Sequence, residues 1–302
     1  MRILSIAVVS LLVLSCQQSP ILPLPDNNDE LRAQPNAALI DKQGAMDVLI
    51  NKAGRQRMLS QRIAKCYFML GMNISSKEAQ EQLTKAITLF KEQHELLKIN
   101  SISSGFAEQL QATEKLWNKY EAIILSKVER NSAEKVLEMS QELLALCEKN
   151  VTSLCEYTNS LPNNIGNKLT NAEMSKIINQ SGRQRMLSQK LSLYYLAYIW
   201  DVKADESSEQ IPALLNEFST NLNELQGFKL NSEELKKQYL SLMADWRAIA
   251  TSCLTLETQN RETAVAFLQN TEKITNTMNK VTSLYEKEFE IDSEALSGQG
   301  RK

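Results

Sequence analysis

Ten residues of the chain read AGRQRMLSQR, from Ala53 to Arg62, and they return as SGRQRMLSQK, from Ser181 to Lys190. The second copy lies 128 positions after the first, and eight of its ten residues are unchanged. Each copy sets arginine and glutamine into an apolar pattern with helical spacing. The segment is therefore either a device for packing helices or a binding site.

The repeat extends well beyond these ten residues. The offset of 128 also relates Met46 to Met174, Ile50 to Ile178 and Phe90 to Phe218, while Trp117 and Trp246 are 129 apart. Short breaks separate eight helical segments of roughly 20 to 30 residues, and Pro162 and Pro212 are expected at boundaries, Pro212 in a first helical turn. The sequence predicts an all-α chain of two tandem up-down four-helix bundles.

The predicted organisation has six parts. Residues 1–16 form a lipoprotein signal peptide, 17–40 a flexible spacer, 41–160 the first bundle, 161–169 a connector, 170–294 the second bundle and 295–302 a disordered tail. The spacer is assigned from its prolines among Asn, Asp and Gln. Each bundle is long enough to bury a core of its own.

The N-terminus predicts export and a lipid anchor. Arg2 precedes a largely apolar run of 12 residues, Ile3 to Leu14, which suits the core of an export signal and is too short to span a bilayer. The following VLSC resembles a lipoprotein box, in which Cys16 becomes the lipidated residue; the alternative is an ordinary signal peptide with an unmodified Cys16. We expect a protein of the bacterial cell envelope, held by lipid on the periplasmic side or at the outer membrane.

Composition narrows the functional class. Removing Arg2 leaves 33 basic and 36 acidic residues, a net charge of −3, so nucleic acid is not an expected partner. Beyond Cys16 the chain has four cysteines, which match no metal pattern and are expected to be buried free thiols: Cys66, Cys147, Cys155 and Cys253. The single histidine, His94, is expected on a solvated helix face. We predict no catalytic residue, metal or cofactor.

The helical positions of the repeated arginines are unusual. At about 100° per residue, Arg57 falls within the apolar stripe of its helix, and Arg185 does the same in the second copy. Arg55 and Arg62 fall on the opposite side and are solvated unless another surface covers them. Gly54 lies on one ridge with Arg57, where it allows close approach of another helix or a ligand.

A buried arginine requires a carboxylate, a backbone carbonyl or a bound anion. One alternative is a salt bridge to a glutamate of a neighbouring helix. The other requires the two motif helices to meet at their glycines, which would bring Arg57 and Arg185 together. A small planar oxyanion between them would then accept paired hydrogen bonds from the guanidinium groups.

The two copies of the motif resemble that of the extracytoplasmic domain of type IV pilus methyl-accepting chemotaxis transducers, the PilJ-type domain, which is related to the ligand-binding domain of nitrate/nitrite (NarX-like) sensors. The resemblance implies four-helix bundles. It also implies nitrate binding by Arg57 and Arg185 at an interface between two first helices. The basic residue two before the glycine corresponds to Lys52 in the first copy and Gln180 in the second.

The hypothesis is a sensory protein that binds a small inorganic, nitrate-like anion and passes its state to a membrane-bound signalling partner. The candidate ligand-binding residues are Arg57, Arg185, Gly54, Gly182, Gln61, Gln189, Ser60, Ser188 and Lys52. The alternative is a structural or adaptor lipoprotein of the envelope in which the motif only sets helix packing. The sequence leaves open whether the motif helices pair within one chain or across a homodimer.

Overall fold

The computed structural model describes residues 42–162, 169–253, 255–256 and 260–297. Within these ranges there are eight helices and no β-strand. The helices are α1 (Lys42–Gly71), α2 (Ser76–Ile99), α3 (Ser104–Ile124), α4 (Arg130–Ser160), α5 (Asn171–Ile199), α6 (Ala204–Gln226), α7 (Glu233–Cys253) and α8 (Arg261–Ser297). They confirm the prediction of an all-α chain built from two up-down four-helix bundles, α1–α4 and α5–α8.

Several predicted features fall at or beyond the limits of the described residues. The signal peptide, Cys16 and the spacer all precede residue 42 and lie outside them. Six residues of the connector, 163–168, are also outside, between the end of α4 and the start of α5. Helix α8 reaches Ser297, inside the segment 295–302 that was predicted as a tail.

The second motif helix, α5, begins at a complete capping box. The side-chain oxygen of Thr170 accepts a hydrogen bond from the backbone N–H of Glu173 at 3.2 Å. In return, the Glu173 carboxylate accepts the backbone N–H of Thr170 at 2.8 Å, and these bonds lower the pKa of Glu173. Two N–H groups that a helix start leaves unpaired are thereby satisfied, which fixes where α5 begins.

The expectation that Pro212 lies in a first helical turn was wrong. Helix α6 begins at Ala204, so Pro212 is inside it. The repeat accounts for this start, because α2 begins at Ser76, 128 positions earlier. Pro212 is exposed, while the neighbouring Ile211 and Leu214 are buried. The backbone carbonyl freed by proline can therefore be hydrated while the apolar face of α6 stays packed.

The duplication extends to backbone conformation in the turns after the motif helices. In the turn between α1 and α2, Asn73 and Ser75 have positive φ angles of 59° and 44°. Their counterparts between α5 and α6, Asp201 and Lys203, have φ angles of 55° and 46°. Non-glycine residues adopt this region at a cost of about 1 kcal/mol or more each. The two halves therefore share even an unfavourable turn geometry.

The two bundles are joined along α1 and α5, which run parallel to each other. Contacts at two levels set this register: Arg185 near the middle of α5 bonds Asn51 of α1, and Gly71 at the end of α1 lies against Trp200 at the end of α5. One continuous hydrophobic core contains residues of all eight helices. The described residues consequently form a single compact unit, in which the two motif helices are the central pair.

A polar layer crosses the first bundle near the middle of α1. In α1 the main core begins at Met58, and a smaller apolar cluster ends at Ala53. The segments between the two clusters hold buried polar residues from all four helices, namely Gln56, Arg57, Gln93, His94, Thr113 and Asn150. Arg57 thus lies in a layer where the apolar packing of the bundle is interrupted.

The contact between Gly71 and Trp200 gives a first testable prediction. A Cβ atom at Gly71 would lie 2.0 Å from the ring of Trp200, so Gly71→Ala must displace the ring from its edge-on contact with Phe68. We expect a loss of about 2 kcal/mol in the free energy of unfolding, measured by urea denaturation. Gly105→Ala is the matched control, because its Cβ would meet only the hydroxyl oxygen of Ser103, at an ordinary contact distance of 4.0 Å. Equal stability of the two variants would contradict the prediction.

Candidate functional site

The repeated segments meet where α1 and α5 cross at their glycines. A Cβ atom at Gly182 would lie 3.0 Å from Nη2 of Arg185 and 3.5 Å from Nη2 of Arg57. At Gly54 it would lie 3.2 Å from Nη2 of Arg57. Both guanidinium groups therefore lie against Gly182, and the pairing of the motif helices occurs within one chain.

Arg57 is fully buried and has an internal carboxylate. Its Nη1 donates to Glu148 of α4 at 2.8 Å, and its Nη2 donates to the backbone carbonyl of Asn179 in α5 at 3.2 Å. The second oxygen of Glu148 accepts from Arg183 at 3.0 Å, and Arg183 also pairs with Glu217. For Arg57, the salt bridge to a neighbouring helix is the arrangement found.

Arg185 is equally buried, yet its partners are neutral. Its Nη1 donates to the side-chain oxygen of Asn279 at 3.2 Å, and its Nη2 to that of Asn51 at 2.6 Å. Among the described residues no carboxylate forms an ion pair with it, and its Nε has no partner. Burial first, and then the charges of Arg55 and Arg57, lower the pKa of Arg185 to about 9 against the opposite effect of Glu286. Arg185 is thus a buried cation without a counter-ion in the described part of the chain.

Lys52 belongs to the surroundings of Arg185. Burial lowers the pKa of Lys52, and the charges of Arg55 and Arg185 act in the same direction against Glu286. Its counterpart Gln180 instead donates to Glu224 at the surface of the second bundle. The basic residue that precedes the first glycine therefore adds positive charge near the second arginine.

The serines and glutamines of the motif face other helices. Ser60 and Ser188 donate to the backbone carbonyls of Arg57 and Arg185 in their own helices. Gln61 donates to the carbonyl of Ser140 on α4 at 2.9 Å, and Gln189 donates to Thr275 on α8 at 2.7 Å. Gln189 also accepts a hydrogen bond from the guanidinium group of Arg62 at 3.4 Å, but among the described residues none of these four side chains bonds the guanidinium group of Arg57 or Arg185.

A second charged cluster links α1, α5 and α8. Glu272 accepts hydrogen bonds from Arg62, Lys65 and Gln189, and the Lys65 side chain is only 2% exposed. Burial alone would raise the pKa of Glu272, but the charges of Arg62 and Lys65 and two hydrogen bonds lower it to about 2. Arg62 was expected to be solvated unless another surface covered it; α5 and α8 are that surface.

Two expectations about other side chains have different outcomes. The prediction that His94 lies on a solvated face was wrong, because only 5% of it is exposed; it packs against Phe90, and burial lowers its pKa. The four cysteines within the described ranges are free thiols, and only Cys155 is not fully buried. Burial raises the pKa of Cys147 and of Cys253 to about 12, so both thiols are protonated at neutral pH.

Sequence reasoning missed the partners of the arginines. Asn51 and Asn179 could have been found, because each directly follows a repeated isoleucine and precedes its motif arginine by six residues. Glu148 and Asn279 carry no such signal, since a glutamate in one half aligns with a different residue type in the other. No group of side chains suited to a metal ion occurs in the described ranges.

Helices long and apolar enough to cross a bilayer are absent from the described segments. Comparison with curated proteins and with solved structures found no match. The family model "Type IV pili methyl-accepting chemotaxis transducer N-term", PilJ, matches residues 38–146 and 170–271, one match in each half of the chain. This family comprises extracytoplasmic sensory domains and not enzymes. The chain therefore belongs to the PilJ family and carries two tandem copies of its domain.

Proposed function

We propose that this chain is an extracytoplasmic sensory protein that binds a small anion at the α1–α5 interface and passes its state to a membrane-bound partner. The observation that supports this function is Arg185, a buried guanidinium bonded only to neutral amide oxygens. A charge buried without a counter-ion costs several kcal/mol. An anion at this position would offset that cost, which gives the site its affinity.

The location of Arg185 suits a sensor. Its two partners lie on α1 and α8, so a ligand held by this guanidinium acts on three helices from both bundles. A ligand that binds one arrangement of these helices better than another shifts the population between the two. The predicted lipid on Cys16 would place this change at the membrane surface, where a signalling partner could respond to it.

The alternative function is a structural or adaptor lipoprotein in which the motif only sets helix packing. Arg57 favours it, because Glu148 and the carbonyl of Asn179 already satisfy this arginine. Gln61 and Gln189 favour it as well, since they bond the neighbouring helices α4 and α8. The two functions differ in whether any anion stabilises the fold through Arg185.

Thermal unfolding in different sodium salts tests the proposal. At about 100 times its dissociation constant, a ligand adds about 2.7 kcal/mol, which raises the midpoint by several degrees. We expect this rise with nitrate or nitrite relative to chloride at equal ionic strength. We expect no rise in Arg185→Met, which keeps an unbranched side chain and removes the guanidinium charge. Midpoints that are the same in every salt would leave the adaptor function as the better account.

A further inference from the structure

The two motif arginines have different partners on the fourth helix of their own bundle. Arg57 donates to the carboxylate of Glu148 on α4, whereas Arg185 donates to the amide oxygen of Asn279 on α8. A carboxylate cancels the charge of a buried guanidinium, and an amide oxygen does not. The second bundle therefore holds the same buried cation without the matching anion.

One pair of motif glutamines makes the same contact in both halves, which relates the two halves directly. Gln56 donates to the carbonyl of Phe90 at 3.1 Å, and Gln184 donates to that of Phe218 at 2.9 Å. Both bonds span 34 positions in the sequence. Each arginine also bonds an asparagine six positions before the other arginine: Arg57 donates to the backbone carbonyl of Asn179, and Arg185 donates to the side-chain oxygen of Asn51. The contacts of one half can therefore be compared directly with those of the other.

A second arginine completes the arrangement around Glu148. The carboxylate of Glu148 lies between Arg57, at 2.8 Å, and Arg183, at 3.0 Å. The counterpart of Arg183 is Arg55, 128 positions earlier on α1. Arg55 forms no ion pair with the described residues, and among the neighbouring charges it does most to lower the pKa of Arg185. Arg185 and Arg55 thus correspond to Arg57 and Arg183, the two arginines that hold the carboxylate of Glu148.

We propose that one small planar oxyanion binds between Arg185 and Arg55, in the position that corresponds to the Glu148 carboxylate between Arg57 and Arg183. This inference rests on the proposed function and makes it more specific. Because Glu148 already fills the first position, the chain binds one anion and not two. Since the internal occupant is a carboxylate, the ligand class includes formate and acetate together with nitrate and nitrite.

Glu286 of α8 is the acidic side chain that could compete for this position. Its charge acts on both Arg185 and Arg55. Its carboxylate accepts a hydrogen bond from Asn51 at 2.7 Å and forms no ion pair with either arginine among the described residues. Burial raises the pKa of Glu286 more than the nearby cations lower it. Glu286 therefore leaves the position between the two arginines without a carboxylate.

Titration calorimetry of the full chain tests this site, with sodium nitrate and sodium acetate as the probes in a chloride buffer of fixed ionic strength. We expect one bound anion per chain. Arg55→Gln should weaken binding by about tenfold or more, the cost of losing a charge-assisted hydrogen bond. Arg183→Gln is the matched control, since it removes the corresponding arginine beside Glu148, and its affinity should stay within about twofold of the parent.

Asn279→Glu provides a second variant that does not remove an arginine. It places a carboxylate beside Arg185, so we expect the full chain to melt at a higher temperature and to lose its response to nitrate and acetate. Two anions per chain, or an Arg55→Gln variant that binds like the parent, would overturn this inference and leave the proposed function intact. Binding that occurs only in Glu148→Gln would also overturn it. No binding in either the parent chain or Glu148→Gln would reject the proposed function itself.

Discussion

Glu272→Gln should lower the free energy of unfolding at neutral pH by about 3 kcal/mol. The substitution leaves Lys65, with a side chain only 2% exposed, without a counter-ion, and it weakens the link from α8 to Arg62 and Gln189. Removing one partner of a buried ion pair costs about 3–5 kcal/mol, and the partial exposure of Glu272 favours the lower value. Urea denaturation at pH 7 measures the loss.

Glu81→Gln is the control for this prediction, because Glu81 is exposed on α2. Surface substitutions of this kind change stability by less than about 0.5 kcal/mol. If the free energy of unfolding falls equally in both variants, the prediction is wrong: Lys65 and Arg62 then find other acceptors, and Glu272 does not link the helices.

The loss in Glu272→Gln should also depend on pH. The pKa of Glu272 is about 2 in the folded chain and 4.5 ordinarily, so its stabilisation is fully present above 4.5 and disappears as the pH falls through 2. The difference between these two pKa values corresponds to a stabilisation of the folded chain by about 3 kcal/mol. The pKa of His94 is also lowered by burial, so His94 too makes the chain less stable in acid below its ordinary value of 6.5. The difference between parent and variant isolates Glu272, and it should shrink towards zero near pH 2.

Glu148→Ala should lower the free energy of unfolding by about 3 kcal/mol in chloride buffer. Arg57 is 0% exposed, and the substitution leaves its charge with one backbone carbonyl as partner. The usual cost of such a change is about 3–5 kcal/mol, and Glu148 is itself 28% exposed, which favours the lower value. Urea denaturation measures the change, and adding nitrate should restore part of the loss by supplying an anion to Arg57.

The matched control is Glu95→Ala. Glu95 pairs with Lys98 on the surface of α2, where both side chains are substantially exposed. Exposed pairs of this type contribute about 0.3–0.5 kcal/mol. A loss in Glu148→Ala no larger than in Glu95→Ala would mean that Arg57 does not need its carboxylate.

Periodicity in the sequence was sufficient to predict the helices and the burial of the two arginines. Arg57 and Arg185 each fall within the apolar stripe of a helix, and both are buried. The pairing of the motif helices was predicted as an alternative, because glycine on the ridge beside an arginine permits close approach. Those features depend on residues within one helix, which the sequence displays directly.

Features that depend on two helices could not be predicted in this way. Helix α4 has several glutamates, and its rotation against α1 decides that Glu148 and not Glu142 meets Arg57. The burial of His94 has the same origin, since its charged neighbours suggested a solvated face but the packing of the bundle covers it. Pro212 was misplaced because a proline often marks a first turn, whereas the duplicated turn before α6 fixes an earlier start.

The pairing of α1 with α5 inside one polypeptide has an evolutionary consequence. In a homodimer, a substitution beside one arginine appears beside its symmetry mate as well, so the two positions cannot diverge. A tandem chain is free of that restriction. One half can have a glutamate beside Arg57 while the other has an asparagine beside Arg185. Joining two copies in one chain therefore allows the two positions of the interface to differ, with a carboxylate beside one arginine and a neutral amide beside the other.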